Sequence, residues 1–242
     1  MTSTPSTAQS IASTVKVLAF DIFGTVVDWH GSIVREMLAL HPAVDGDAFA
    51  LAWRAGYQPA MARVMRGEQG WTLIDDLHRS ILDEILPRFG LAHLSEVERR
   101  HLNRVWHRLD AWPDSVEGLK RLKTRFTITT LSNGNIGLLT HMAKRAGLPW
   151  DCVLSAEVFR TYKPDPATYL GVARVFDAAP SQVALVATHH DDLAAARDCG
   201  LRTAYVERPH ELGAARPKDG APQPGNDLHA TDLIDLARML GC

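Results

Sequence analysis

The stretch Val15–Phe20 (VKVLAF) is short, apolar and partly β-branched, and it runs straight into an acid, Asp21. Short apolar runs that recur between helical segments predict buried parallel strands. Runs of the same kind stand at Phe126–Leu131 (FTITTL), Val183–Ala187 (VALVA) and Thr203–Val206 (TAYV). Amphipathic stretches with defined ends lie between the later runs. Asn135 is placed to cap a helix that stops before Gly147, and Asp165-Pro166 sets a capping acid before a proline at the first helical position. The stretch Asp192–Cys199 ends at Gly200, a natural C-terminal cap. This order of helix and strand from residue 114 to 206 predicts an α/β fold with a doubly wound, Rossmann-like parallel sheet. Ligands in such sheets sit beyond the carboxyl ends of the strands. Asp21, Ser132 and Thr188 all fall just past such ends.

Residues 30–112 follow a different pattern. Phe49, Trp53, Ala60 and Val64 form one stripe of a helical stretch reaching about Arg66, which Pro59 is expected to kink or break. A second helix is predicted over Leu73–Leu86, stopped near Pro87, and Ser95 with Glu98 forms a capping box for a third. No strand is expected among them. The predicted organisation is a core of residues 15–29 and 113–242, with residues 30–112 inserted as a helical cap over the strand ends. Residues 1–14 read as a disordered tail, Ala214–Asn226 as a Pro- and Gly-rich surface loop, and Ala230–Leu240 as the last helix.

The chain has 242 residues, 46% of them hydrophobic and 22% charged, enough for a sizeable core. Its formal charge of −2 carries no basic surplus and argues against nucleic acid as a partner. Cys152, Cys199 and Cys242 have no metal-ligand or redox spacing, and so odd and scattered a set fits a reducing interior. The N-terminal segment is Ser/Thr-rich with no side-chain charge before Lys16, unlike a signal peptide. No run approaches the roughly 18 apolar residues of a membrane span. A cytoplasmic protein with no membrane partner is expected.

Four segments carry the chemistry: Asp21-Ile22-Phe23-Gly24-Thr25-Val26-Val27-Asp28, Leu131-Ser132-Asn133-Gly134, Tyr162-Lys163-Pro164-Asp165 and Asp192-Leu193-Ala194-Ala195-Ala196. In this order and at these intervals they resemble the motifs of the haloacid dehalogenase superfamily. Phosphatases of that superfamily place a second Asp two residues after the nucleophile, where this chain has Phe23. Their later motif carries a Mg²⁺-binding Asp after a Gly, where this chain has Ala187-Thr188. The aromatic at position 23 and the Ser132-Asn133-Gly134 turn are similar instead to the L-2-haloacid dehalogenase subgroup. The resemblance implies a small 2-halocarboxylate substrate, no metal, no cofactor and a homodimer.

Displacing halide from the carbon beside a carboxylate needs a nucleophile, a halide acceptor and a carboxylate anchor. Halide leaves without a proton, so a general acid is dispensable, and an ester intermediate splits one hard step into two. By resemblance, Asp21 attacks with inversion, Asp192 handles the water that cleaves the ester, and Lys163 keeps Asp21 ionised. Thr25 bonds the nucleophile and Tyr169 positions Lys163. Arg54, on the first long cap helix, receives the halide with help from the Asn133 amide. Ser132 and the N–H groups of its turn hold the substrate carboxylate, with Ile22 and Phe23 on the substrate side. Where many relatives have Ser and Asn in the fourth motif, this chain has Ala187 and His189, so His189 is a further candidate beside Asp192. Two other readings remain at this stage: a Mg²⁺-dependent phosphatase of the same superfamily, and a silent relative that only binds a small carboxylate.

Overall fold

The computed structural model describes residues 7–242. Eight strands occur among them: β1 (Val17–Phe20), β2 (Val27–Asp28), β3 (Asp110–Ala111), β4 (Thr127–Ser132), β5 (Cys152–Ser155), β6 (Val183–Ala187), β7 (Arg202–Val206) and β8 (Leu228–Ala230). Six form one parallel sheet in the order β5-β4-β1-β6-β7-β8. The first strand is therefore central, with Phe20 level with Thr130 of β4 and with Val186 of β6. Its side chains alternate between two cores, as the twofold period of a strand requires. Leu18 and Phe20 join the larger apolar cluster, whereas Val17 and Ala19 join a smaller one with Leu185 and Tyr169. Burial on both faces is why this strand reads as an unbroken apolar run. The chain lays β4 and β5 on one side of β1 and then returns to lay β6, β7 and β8 on the other. That reversal of direction opens a crevice at the end of β1, where Asp21 stands.

Helices fill most of the chain between β2 and β3. They span Trp29–Leu40, Gly46–Ala55, Tyr57–Met65, Ile74–Ile85 and Glu96–Asn103, with short 3₁₀ turns at Leu86–Phe89 and Arg104–His107. The capping box forms as expected, Ser95 accepting from the Glu98 N–H and Glu98 from the Ser95 N–H. The break in the long helical stretch falls at Gly56 rather than at Pro59. Pro59 lies in the first turn of the second helix, where a missing N–H costs little. Among the described residues no helix is long and apolar enough to cross a membrane.

Other expectations need correction. Residues 7–14 form a helix that buries Ile11 against the core, so the tail is not irregular throughout; residues 1–6 lie outside the described residues. Four strands were not expected: β5 and the three-residue β8 of the main sheet, too short and mixed to stand out as apolar runs, and the two-residue β2 and β3, the latter inside residues 30–112 where no strand was expected. The last helix consequently starts at Leu233, not Ala230. The antiparallel pair of β2 with β3 closes the base of the helical segment. Asn135 occupies the N-cap position, but its side chain pairs with Asp75 instead, while Glu157 accepts from the Ile136 N–H.

Candidate active site

Strand β1 delivers Asp21 to the crevice, and Gly24 at φ +88° turns the chain back. Asp21 is almost fully buried, and each of its oxygens is engaged. Oδ1 accepts from Lys163 Nζ at 2.9 Å. Oδ2 accepts from Thr25 Oγ1 at 2.7 Å and faces His189 Nδ1 at 3.1 Å. Thr25 is oriented in turn, because its oxygen accepts from the Thr188 N–H at 3.0 Å. Burial by itself raises the Asp21 carboxyl, but Lys163 and His189 outweigh it and hold the group well below the usual carboxylate range. It is an ionised, water-poor carboxylate, the form a nucleophile requires.

Lys163 precedes a helix over Pro166–Val175 whose start is fixed by Asp165 accepting from the Ala167 N–H at 2.8 Å. Its own N–H is held by Asn133 Oδ1 at 2.8 Å. The ammonium bridges Asp21 and Asp192, the latter at 2.5 Å. Burial opposes its charge, yet the two carboxylates keep it firmly protonated. Asp192 lies in the first turn of the helix His190–Asp198 and also accepts from the Tyr169 hydroxyl at 2.6 Å. Burial and the nearby Asp21 charge raise Asp192 above its ordinary value despite Lys163. Two carboxylates with proton affinities pushed in opposite directions are the arrangement expected of one nucleophile and one base.

A cavity of 410 Å³ opens above Asp21 and is lined by Phe23, Arg54, Tyr57 and Asn133, with Lys163, His189 and Asp192 at its floor. The Arg54 guanidinium lies in an aromatic cage, 4.2 Å from the Tyr57 ring centre, 5.5 Å from Trp29 and 6.0 Å from Phe23. Its Nη1 is buried with no hydrogen-bond partner. A buried, unpartnered N–H on a cation is costly unless an anion arrives to accept from it. Phe23 packs edge-on to Tyr57, His78 and Trp106.

Some predicted site residues are placed differently. Ile22 is buried in the apolar core and does not line the cavity. Ser132 is fully buried beneath its turn, where its hydroxyl accepts from the Gly134 N–H. Tyr169 bonds Asp192 rather than Lys163.

Sequence reasoning missed Glu211, Lys218 and Trp29. The segment after β7 is anchored by Arg208, which forks onto Asp114 with contacts of 2.8 and 2.7 Å and donates from Nε to Thr25 O. That anchor carries Glu211 into the site, where it meets His189 Nε2 at 2.9 Å and Lys218 Nζ at 2.5 Å. Lys218 also donates to Thr188 O at 3.0 Å. The Pro- and Gly-rich stretch read as a surface loop thus supplies part of the site. Its residues have no periodicity that would betray this, since an irregular loop is positioned by single contacts. The place of the phosphatase carboxylate is taken by Phe23, and an ammonium already sits on the Thr188 carbonyl. Among the described residues no group of three His, Cys, Asp or Glu is arranged to hold a metal ion.

Residues 15–200 match the family model of haloacid dehalogenase-like hydrolases. The chain belongs to that family. The crystal structure of a defluorinating L-2-haloacid dehalogenase superposes with a TM-score of 0.89 at 44% identity, over 94% of this chain and 96% of the other. A second L-2-haloacid dehalogenase structure gives 0.89 at 42% identity, over 93% and 99%. Among characterised relatives, (S)-2-haloacid dehalogenase 1 of Pseudomonas sp. strain CBS-3 is 28% identical over 200 residues, 80% of this chain and 85% of its own. Membership of the haloacid dehalogenase-like hydrolases accounts for the four motifs meeting at the end of β1.

Proposed function

We propose that this haloacid dehalogenase-like hydrolase converts short L-2-haloalkanoic acids to 2-hydroxyalkanoic acids through an ester on Asp21. The observation that carries the reading is the pairing of an ionised, buried Asp21 with the unpartnered Nη1 of Arg54 in one cavity. A carboxylate nucleophile and an anion acceptor are what halide displacement needs, and the named relatives act on the same substrate class. Phe23, where a leaving-group acid would stand, suits a leaving group that requires no proton.

In this reading Asp21 Oδ1 attacks C2 of the substrate and inverts it, and the halide departs toward Arg54 and the Asn133 amide. Asn133 and the turn it begins hold the substrate carboxylate. Asp192 then takes a proton from the water that cleaves the ester. The helical segment 30–112 acts as the cap over the core of residues 15–29 and 113–242, since it supplies Arg54 and Tyr57 to the cavity roof. We include fluoroacetate among the substrates because the buried Arg54 Nη1 is a free hydrogen-bond donor on a cation, and fluoride is the strongest hydrogen-bond acceptor of the halides.

Halide release from L-2-chloropropionate in the presence of EDTA tests the proposal, run beside p-nitrophenyl phosphate with Mg²⁺. Release that persists in EDTA and vanishes in Asp21→Asn is expected. Mg²⁺-dependent phosphate release without halide release would refute it.

A further inference from the structure

His189 lies between two carboxylates, Asp21 Oδ2 at 3.1 Å from Nδ1 and Glu211 Oε1 at 2.9 Å from Nε2. A neutral imidazole donates from one nitrogen only and would turn a lone pair toward a carboxylate at the other. Both contacts are satisfied only when the ring carries two protons. Glu211 is 3% exposed and is itself fixed as an anion, Oε1 accepting from Trp29 Nε1 at 3.2 Å and Oε2 from Lys218 at 2.5 Å. Burial disfavours the imidazolium, but the bonds to Asp21 and Glu211 raise His189 to about 9. The charged groups around the ring are Asp21 at the end of β1 and Glu211 and Lys218 from the segment after β7, with Lys163 and Asp192 joined to it through Asp21.

The two oxygens of Asp21 are not equivalent. Oδ2 accepts from both Thr25 and His189, whereas Oδ1 accepts from Lys163 alone and keeps a lone pair for attack. We propose that His189 is the cation that stabilises the Asp21 ester carbonyl during hydrolysis, and that Glu211 is the positioning residue that keeps it charged. This rests on the dehalogenase reading above. Once Oδ1 has become the alkyl oxygen of the ester, Oδ2 is its carbonyl oxygen and still faces Thr25 and His189. Water adds to Cγ of Asp21, one of its protons passes to Asp192, and the carbonyl electron pair moves onto Oδ2. Collapse restores the carbonyl and breaks the Cγ–Oδ1 bond, and the departing alkoxide takes the proton back from Asp192. The regenerated carboxyl then releases the second water proton. Ester formation removes the charge of Asp21, so until the oxyanion develops on Oδ2, Glu211 is the anion that still holds the imidazolium charged.

The test is a rapid-mixing experiment with L-2-chloropropionate between pH 6 and 10.5, following halide release and the ester by intact-protein mass. In His189→Ala we expect a halide burst, accumulated ester, and hydrolysis slowed by about 10²- to 10³-fold, the usual loss of an oxyanion donor. Glu211→Gln should fail early in alkali, its alkaline limb displaced downward by about one pH unit or more. Lys218→Met removes a cation from Glu211 and should displace that limb upward, an opposite shift that general structural damage would not produce. Equal slowing of both chemical steps in His189→Ala would overturn the proposal, as would an alkaline limb unmoved by Glu211→Gln or Lys218→Met. So would ester hydrolysis that accelerates as the imidazole loses its proton. A parent protein that releases no halide would overturn the dehalogenase reading itself. Halide release by the parent with no ester in the variants would overturn the role of His189 alone.

Discussion

Replacing Arg54 with Gln keeps a polar side chain of similar reach and removes the cation from its cage. The wild-type guanidinium has a buried Nη1 with no partner in the protein and three aromatic faces within 6.0 Å. A hydrogen bond to a charged group contributes about 1.5–3 kcal/mol. At 1.36 kcal/mol per tenfold, the variant should lose about 10- to 150-fold in the halide-releasing step. The loss must also depend on the leaving group, because a poorer one carries more charge in the transition state and draws more on the cation. Single-turnover halide release should therefore fall more for chloride than for bromide, and most for fluoride. Folding stability should change little, since losing the contact with Tyr57, of order 1 kcal/mol, is offset by relief of an unpaired buried donor. Equal slowing across the halides, or a substantial fall in thermal midpoint with activity per folded molecule unchanged, would show that Arg54 is a packing residue and not the halide acceptor.

Lys163→Met strands two buried carboxylates, and breaking a buried pair in this way costs about 3–5 kcal/mol of stability at neutral pH. Asp192, whose proton affinity is already raised, should take a proton, so urea unfolding should show less destabilisation in acid, while turnover falls by at least about 10²-fold. His78 stacks 4.0 Å from Trp106 with both ring nitrogens unpartnered, and burial with the Arg54 charge pushes it down to about 3. Its folded-state value lies below its unfolded one, so the unfolded chain binds the extra proton and stability declines as pH falls below 6.5. His78→Phe should therefore gain about 2 kcal/mol over the parent at pH 5 relative to pH 7, read as the difference in urea midpoints. Gly24→Ala would set a Cβ 2.2 Å from Glu211 Oε1 at φ +88°. Beyond a backbone strain of about 1–2 kcal/mol, it should reproduce the alkaline defect of Glu211→Gln, which mass detection of the ester would reveal.

The sequence by itself determined four of the six strands of the parallel sheet and the place of Asp21 at the end of the first. Residues 15–20, 126–131 and 183–187 are rich in apolar and β-branched side chains because both faces of a parallel strand are covered, and that local pattern needs no partner to be read. Asp21, Lys163 and Asp192 were legible because each sits at a strand end or helix start within a dense motif. What only the tertiary structure decided was how these charges are balanced. Glu211 and Lys218 come from an irregular segment anchored by Arg208 on Asp114, two partners 94 positions apart in the chain. Trp29 comes from the first helix after β2, and Ile22 and Ser132 turn away from the cavity although their motifs suggested otherwise. Strand formation follows from hydrophobic period, a property of neighbours in sequence. Proton affinity follows from burial and charges a few ångströms away, and those distances exist only once the chain has closed around Asp21.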